Sequence, residues 1–160
     1  MLIKEISPKN RKEVSEFLIS KWHSIYIAVR GKIYDTSKMD GFVMYENDTI
    51  IGLVTYIAEG YECEIITLDS IKENQGYGTI LINKVVEKAK SLKCSKIKLV
   101  TTNDNVNAFA FAFYQKRGFD LVCVYPYTVE FARMLKPSIP MFGDNNIPIK
   151  HELEFEMIIQ

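Results

Sequence analysis

The chain has 160 residues, with 20 Lys and Arg against 20 Asp and Glu, so its formal net charge is zero. That length suits one domain with a real core, here taken as residues 1–160, and the charge balance argues against a nucleic-acid binder, which needs a basic patch. Cys63, Cys94 and Cys123 form no CxxC pair and no window reaches the ~18 apolar residues of a membrane span, so a reduced, cytoplasmic protein with no membrane partner is expected.

Leu2 to Ile6 alternates apolar and polar residues and reads as a first strand. Ser7-Pro8 then opens a helix with Val14, Phe17, Leu18 and Trp22 on one face. Ile25 to Tyr34 fits neither period, and Gly31 would end any helix begun there. Gly41 to Tyr45 and Thr49 to Ala58 are rich in strand formers, and Glu46-Asn47-Asp48 between them is a hairpin signal. Glu59-Gly60 makes another turn. Strict alternation in the strand from Glu62 to Leu68 would put residues 62, 64, 66 and 68 on one side and 63, 65, 67 and 69 on the other.

Gln75-Gly76-Tyr77-Gly78-Thr79 follows that strand and precedes a helix striped by Leu81, Val85, Ala89 and Leu92. A strand-to-helix junction of this kind presents backbone N–H groups at the positive end of a helix, which suits a phosphate or pyrophosphate. Alone, Gly-x-Gly is an ordinary tight turn. The competing phosphate motifs are absent, since no Gly-Lys-Ser/Thr follows and a third glycine is missing. Ile97 and Leu99 mark another strand, ended by the polar turn Thr101 to Asn105. Phe109, Ala112 and Phe113 would be the buried side of the next helix, closed by Gly118. Phe119 to Val124 returns as a strand, Thr128 to Leu135 is a short helix, and prolines 137, 140 and 148 mark a long loop. Glu152 to Ile159 alternates charged and apolar residues, which suits a half-exposed last strand able to pair across a homodimer. Alternating strands and helices flanked by hairpins predict an α/β fold, a mixed sheet with helices on both faces.

Two stretches carry a resemblance to the GNAT superfamily of N-acetyltransferases. Residues Glu73, Asn74, Gln75, Gly76, Tyr77 and Gly78 are similar to its Gln/Arg-x-x-Gly-x-Gly/Ala turn. Asn107, Ala110, Phe113, Tyr114, Lys116, Gly118 and Phe119 are similar to its later Asn-x-x-Ala-x-x-Phe-Tyr-x-Lys-x-Gly-Phe signature. The match is tight over about a third of the chain. It implies an acyl-coenzyme A N-acyltransferase fold, with a central mixed sheet splayed between its fourth and fifth strands to admit acetyl-coenzyme A. It places the pantetheine arm along Leu68, Asp69 and Ser70. The pyrophosphate would rest on Asn74, Gln75, Gly76, Tyr77, Gly78 and Thr79, and Asn107 would complete the cofactor contacts. Tyr114 takes the place of the tyrosine that protonates the departing thiolate. A thiol with a pKa near ~8.5 and a phenol near ~10 make that transfer chemically reasonable. On the residues alone, Tyr114 would pass for a core tyrosine.

Two departures stand out. Glu73 replaces Gln or Arg, and a carboxylate beside phosphate is repulsive, so backbone donors must carry the binding. The run Phe109-Ala110-Phe111-Ala112-Phe113 looks like a two-residue duplication, and two residues turn a helix by about 200°. Asn105 would then stand two residues too far from Tyr114, so either Asn107 takes the usual asparagine role or the loop absorbs the extra residues.

An amine substrate with a pKa near ~10.4 must lose a proton before it attacks a thioester. Glu62 and Glu64, on the strand toward the acetyl site, are the candidate bases, or else plain surface carboxylates. The resemblance draws the acceptor pocket from the first helices and facing strands, making Trp22, Tyr26 and Arg30 candidates, with His23 and Tyr34 beside them. With His23 and His151 the only histidines, no metal site is expected. The expected function is acetyl transfer to the primary amine of a small molecule or peptide by direct attack in a ternary complex. The rival is a module of the same fold that holds acyl-coenzyme A as a sensor and transfers nothing.

Overall fold

The computed structural model describes residues 1–106 and 110–159. The chain forms two compact units, one of Met1–Ile27, Asp35–Ile97 and the C-terminal end, the other of Ala28–Tyr34 and Lys98–Ile158.

In the first unit, strand β1 (Leu2–Glu5) leads into helix α1 (Arg11–Trp22). Asn10 organises the corner between them. Its Oδ1 accepts from the Ser7 N–H at 2.8 Å, and its Nδ2 donates to the Glu5 carbonyl at 3.0 Å. The helical period buries Val14 and Leu18 while Trp22 stays partly exposed. Those two pack with Ile6, Val43, Tyr45 and Leu53. Full burial of a leucine such as Leu18 stabilises by about 1.5–3 kcal/mol, and truncating it to alanine would cost about 2–5 kcal/mol.

Strands β4 (Asp40–Glu46), β5 (Thr49–Glu59) and β6 (Glu62–Ser70) form an antiparallel meander, and β1 pairs with the outer side of β4. Asn47 and Asp48 both adopt positive φ, which is the two-residue turn the hairpin needs. Helix α2 (Tyr77–Ser91) lays Leu81, Ile82, Val85 and Ala89 inward. Gly52 makes room for it, since a Cβ there would sit 3.1 Å from Leu81 Cδ1. Leu92, expected on the stripe, is instead exposed, because the helix ends at Ser91 and Leu92 is its C-cap.

The alternation expected along β6 does not hold. Thr55 pairs with Thr67 and Tyr56 with Ile65, so Ile66 is an extra residue. One inserted residue exchanges the faces beyond it. Thr67 and Asp69 therefore share the face of Glu62 and Glu64, and Leu68 lies on the other. The buried hydroxyls of Thr55 and Thr67 meet at 2.8 Å across the bulge.

The stretch from Ile25 to Tyr34, which fitted neither period, holds β2 (Tyr26–Val29) and most of β3 (Lys32–Asp35), the two strands of a hairpin. Arg30 and Gly31 both have positive φ, and they form the two-residue turn of that hairpin.

Strand β7 (Lys96–Thr102) belongs to the second unit from Lys98 onward, and a single 3-10 turn (Asn103–Val106) follows it there. Helix α3 (Ala110–Gln115) is short and closes at Gly118, whose φ is +88°. Its expected inner face was Phe109, Ala112 and Phe113. Ala112 is exposed and Phe109 falls outside the described residues. Phe111 and Tyr114 make the ring contacts to Phe155 instead, and Tyr114 also meets Phe119. With six residues, the helix is oriented by those aromatic contacts rather than by its own periodicity. Strands β8 (Asp120–Tyr125) and β9 (Glu152–Ile158) pair antiparallel, with Tyr125 opposite Glu152 and Cys123 opposite Glu154. Helix α4 (Thr128–Leu135) lies between them in sequence. Arg133 on it gathers the long loop by donating to the carbonyls of Ile139, Pro140 and Ile149. The last strand is not half-exposed as its pattern suggested, because Glu152 to Phe155 are all buried.

Candidate active site

Gly76 is the N-cap of α2, with φ +78°, and no side chain caps the helix. A Cβ at Gly76 would meet nothing within 4 Å, so the space over the turn is open. Asn74 also holds positive φ, and Asn74, Gln75 and Gly76 are exposed. The first turn, Tyr77, Gly78 and Thr79, carries no acidic residue. The turn fits an anion, with backbone at the positive end of a 15-residue helix, no side-chain cap in competition and no Cβ in the approach. Glu73 is exposed, outside the helix.

At the end of β6, the backbone of Leu68, Asp69 and Ser70 runs toward this turn, and Ser70 Oγ donates to the Lys72 carbonyl at 3.2 Å. Because of the bulge, the Asp69 side chain shares a face with Thr67. Trp22 Nε1 at the end of α1 donates to Asp69 Oδ2 at 3.0 Å. Burial pushes the Asp69 carboxyl above its ordinary value of 3.8, opposed by the indole hydrogen bond and the Lys21 charge. Trp22, expected to line an acceptor pocket, thus holds a carboxylate that the sequence associated only with cofactor backbone.

The two candidate bases differ. Glu62 pairs with Lys96 Nζ at 2.8 Å and is half-buried. Glu64 is 8% exposed. Tyr26 is exposed at the start of β2.

Arg30 and Tyr114 belong to the second unit. The Tyr114 ring lies 5.3 Å from Phe113, 5.8 Å from Phe119 and 5.7 Å from Phe155. Asn107 lies outside the described residues. Arg30 shows a role its sequence position did not. Its backbone N–H donates to Glu152 Oε2 at 2.9 Å and its guanidinium to Glu154 Oε2 at 2.7 Å. Tyr125 donates its hydroxyl to the same Glu154 oxygen at 2.8 Å. That bond, with burial second, raises the Tyr125 phenol to about 12. Glu152, Glu154 and Tyr125 are absent from the sequence-derived site. The signal was present in the glutamates two apart on a strand, but it read as a solvated face. Among the described residues no group of three or more His, Cys, Asp or Glu could hold a metal ion.

The model of the Acetyltransferase (GNAT) family matches residues 8–119. The uncharacterized protein YdhI of Bacillus subtilis is 46% identical over 147 residues, covering 91% of each chain. A GNAT family acetyltransferase from Elizabethkingia anophelis, solved with acetyl-CoA bound, superimposes with a TM-score of 0.68 at 19% identity, over 98% of this chain and 97% of that one. An aminoglycoside 6'-N-acetyltransferase complexed with coenzyme A gives 0.69 at 17% identity, over 100% and 98%. Those two likenesses show the fold, the mixed α/β arrangement expected from the sequence. The family model spans most of the chain and its glycine turn sits at a helix N-terminus open to an anion; the chain belongs to the GNAT family of acetyltransferases.

Proposed function

We propose that the protein transfers an acetyl group from acetyl-coenzyme A to a primary amine by direct attack in a ternary complex. The observation that carries this reading is the open, uncapped N-terminus of α2 at Gly76, in a chain of this family. The backbone of Asn74 to Thr79 would take the pyrophosphate, and that of Leu68 to Ser70 the pantetheine arm. The co-substrate supplies an activated thioester.

In the reaction the amine nitrogen bonds to the thioester carbonyl carbon and the carbon–sulfur bond breaks. The amine gives up its proton to a carboxylate, and the thiolate takes one from the Tyr114 phenol. Glu64, which is buried, and Glu62, which pairs with Lys96, are the two candidate carboxylates for that step. A backbone N–H near Leu68 would polarise the carbonyl. Trp22, Tyr26 and Arg30 would border the acceptor. The three cysteines are free, which suits a cytoplasmic enzyme. The exposed apolar side chains of β8, Leu121, Val122 and Val124, suit a homodimer.

Calorimetric titration with acetyl-coenzyme A, its dephospho form and pantetheine tests the reading. Micromolar binding that requires the pyrophosphate is the expected result. Absence of binding would overturn it.

A further inference from the structure

A buried carboxylate oxygen without a donor calls for an explanation, because such groups are rare in folded proteins. Glu152 is 3% exposed, and its Oε1 accepts no hydrogen bond among the described residues. Glu154, two residues along the same strand and on the same face, is 7% exposed. Burying an ionised carboxylate costs several kcal/mol unless an opposite charge and hydrogen bonds compensate. Arg30 supplies its guanidinium to Glu154 Oε2 and its backbone N–H to Glu152 Oε2, which leaves Glu152 Oε1 unsatisfied. Tyr125 adds a hydroxyl to Glu154, and Cys123 stands opposite Glu154 in the strand register. The acidic pair therefore has one orphaned acceptor and room in its hydrogen bonding for a further donor that carries positive charge.

We propose that Glu152 and Glu154 form a subsite for an ammonium group of the acceptor. An ammonium has three donors and no acceptor, which matches an orphaned Oε1 beside a second carboxylate. The inference rests on the amine acetyltransferase reading and narrows its substrate class. The nitrogen that is acetylated must be neutral when it attacks, so a carboxylate pair of this kind serves a second, protonated nitrogen. The acceptor is then a compound with at least two amino groups, such as a diamine, a polyamine or a polyamino sugar. Arg30 holds the two carboxylates in place through its backbone N–H at Glu152 and its guanidinium at Glu154.

The test is direct binding to the full chain, by calorimetry or ligand-observed NMR. The probes are 1,5-diaminopentane, spermidine and 2-deoxystreptamine, set against 1-aminopentane and cyclohexylamine. At least one di- or polyamine should bind roughly tenfold or more tightly than the matched monoamine, a difference of about 1.4 kcal/mol. Glu152→Gln should remove that preference, and Glu154→Gln should weaken it. Glu130→Gln, an exposed carboxylate on α4, should leave it intact. Equal binding of diamine and monoamine, or an undiminished preference in Glu152→Gln, would overturn the proposal. A Glu152→Gln protein that is only more heat-stable, with no preference to lose in the parent, would mean that the oxygen holds a structural water. Should Glu152→Gln fail to fold, the comparison of amines on the unaltered protein and Glu154→Gln decide the matter. Acetyl-coenzyme A binding is measured on the same samples. Its loss alone refutes the acetyltransferase reading, whereas intact acetyl-coenzyme A binding without amine discrimination refutes only the ammonium subsite.

Discussion

Gly76 and Gly60 offer a controlled pair. Both hold positive φ, +78° and +58°, and a Cβ on either would meet no atom within 4 Å. Alanine at either position therefore adds no clash and loses only the freedom of glycine in the left-handed region, about 1–2 kcal/mol. In a protein of this size that lowers Tm by about 2–8 °C. The two positions differ in what lies beside them. Gly60 is at the tip of the β5–β6 hairpin, while Gly76 caps α2 at the proposed pyrophosphate site. Gly76→Ala should weaken acetyl-coenzyme A binding by roughly tenfold or more, since its methyl group occupies the approach to the turn. Gly60→Ala should leave binding within about twofold, a difference of only a few tenths of a kcal/mol. Thermal melts verify the matched stability cost and calorimetry reads the affinity. Equal loss of affinity in both variants would mean that destabilisation alone weakens binding. Unchanged affinity in Gly76→Ala would place the pyrophosphate elsewhere.

Tyr114→Phe should lower turnover by about 10²-fold or more while acetyl-coenzyme A affinity stays near the parent value, the signature of a group used in the transition state; steady-state kinetics beside calorimetry would show it, and unchanged turnover would leave Tyr114 as a packing residue among Phe113, Phe119 and Phe155. The Asp69 carboxyl is raised above 3.8 by burial, so the folded state binds the proton more tightly than the unfolded one. Stability from this group is therefore highest below 3.8 and is lost as pH rises through the higher folded value. Asp69→Asn should be more stable than the parent near neutrality, with the advantage fading toward pH 3.8, and denaturant melts across pH would detect the opposite slope if the assignment were wrong. Thr67→Val strands the buried Thr55 hydroxyl and should cost about 1–3 kcal/mol, while Thr55→Val with Thr67→Val should recover most of it; additive losses in denaturant melts would deny the coupling.

Much of the fold was legible because its signals are local. The stripe of Leu81, Val85 and Ala89, the turn residues Asn47 and Asp48, and the glycine cap at Gly118 each follow from neighbours a few residues away. The segment Ile25 to Tyr34 was not legible, because a four-residue strand is too short to show a period and Arg30 gives no turn signal of its own. The glycine turn was read as a helix N-terminus, and the structure bears that geometry out. The burial of Glu152 and Glu154 against Arg30 was not read at all.

By itself, the sequence determined the order of elements around the central turn, the helix start at the glycines and the family the chain belongs to. All of these depend on contiguous residues, whose backbone preferences act whatever surrounds them. Tertiary structure alone decided which face of β6 carries Asp69, because the extra residue Ile66 exists only in register with β5. It also decided that Trp22 holds Asp69 and that Glu152 and Glu154 are buried against Arg30. An alternating strand looks the same whether water or another layer covers its charged face. Only the partner, brought from 122 residues away in the case of Arg30 and Glu152, settles which it is.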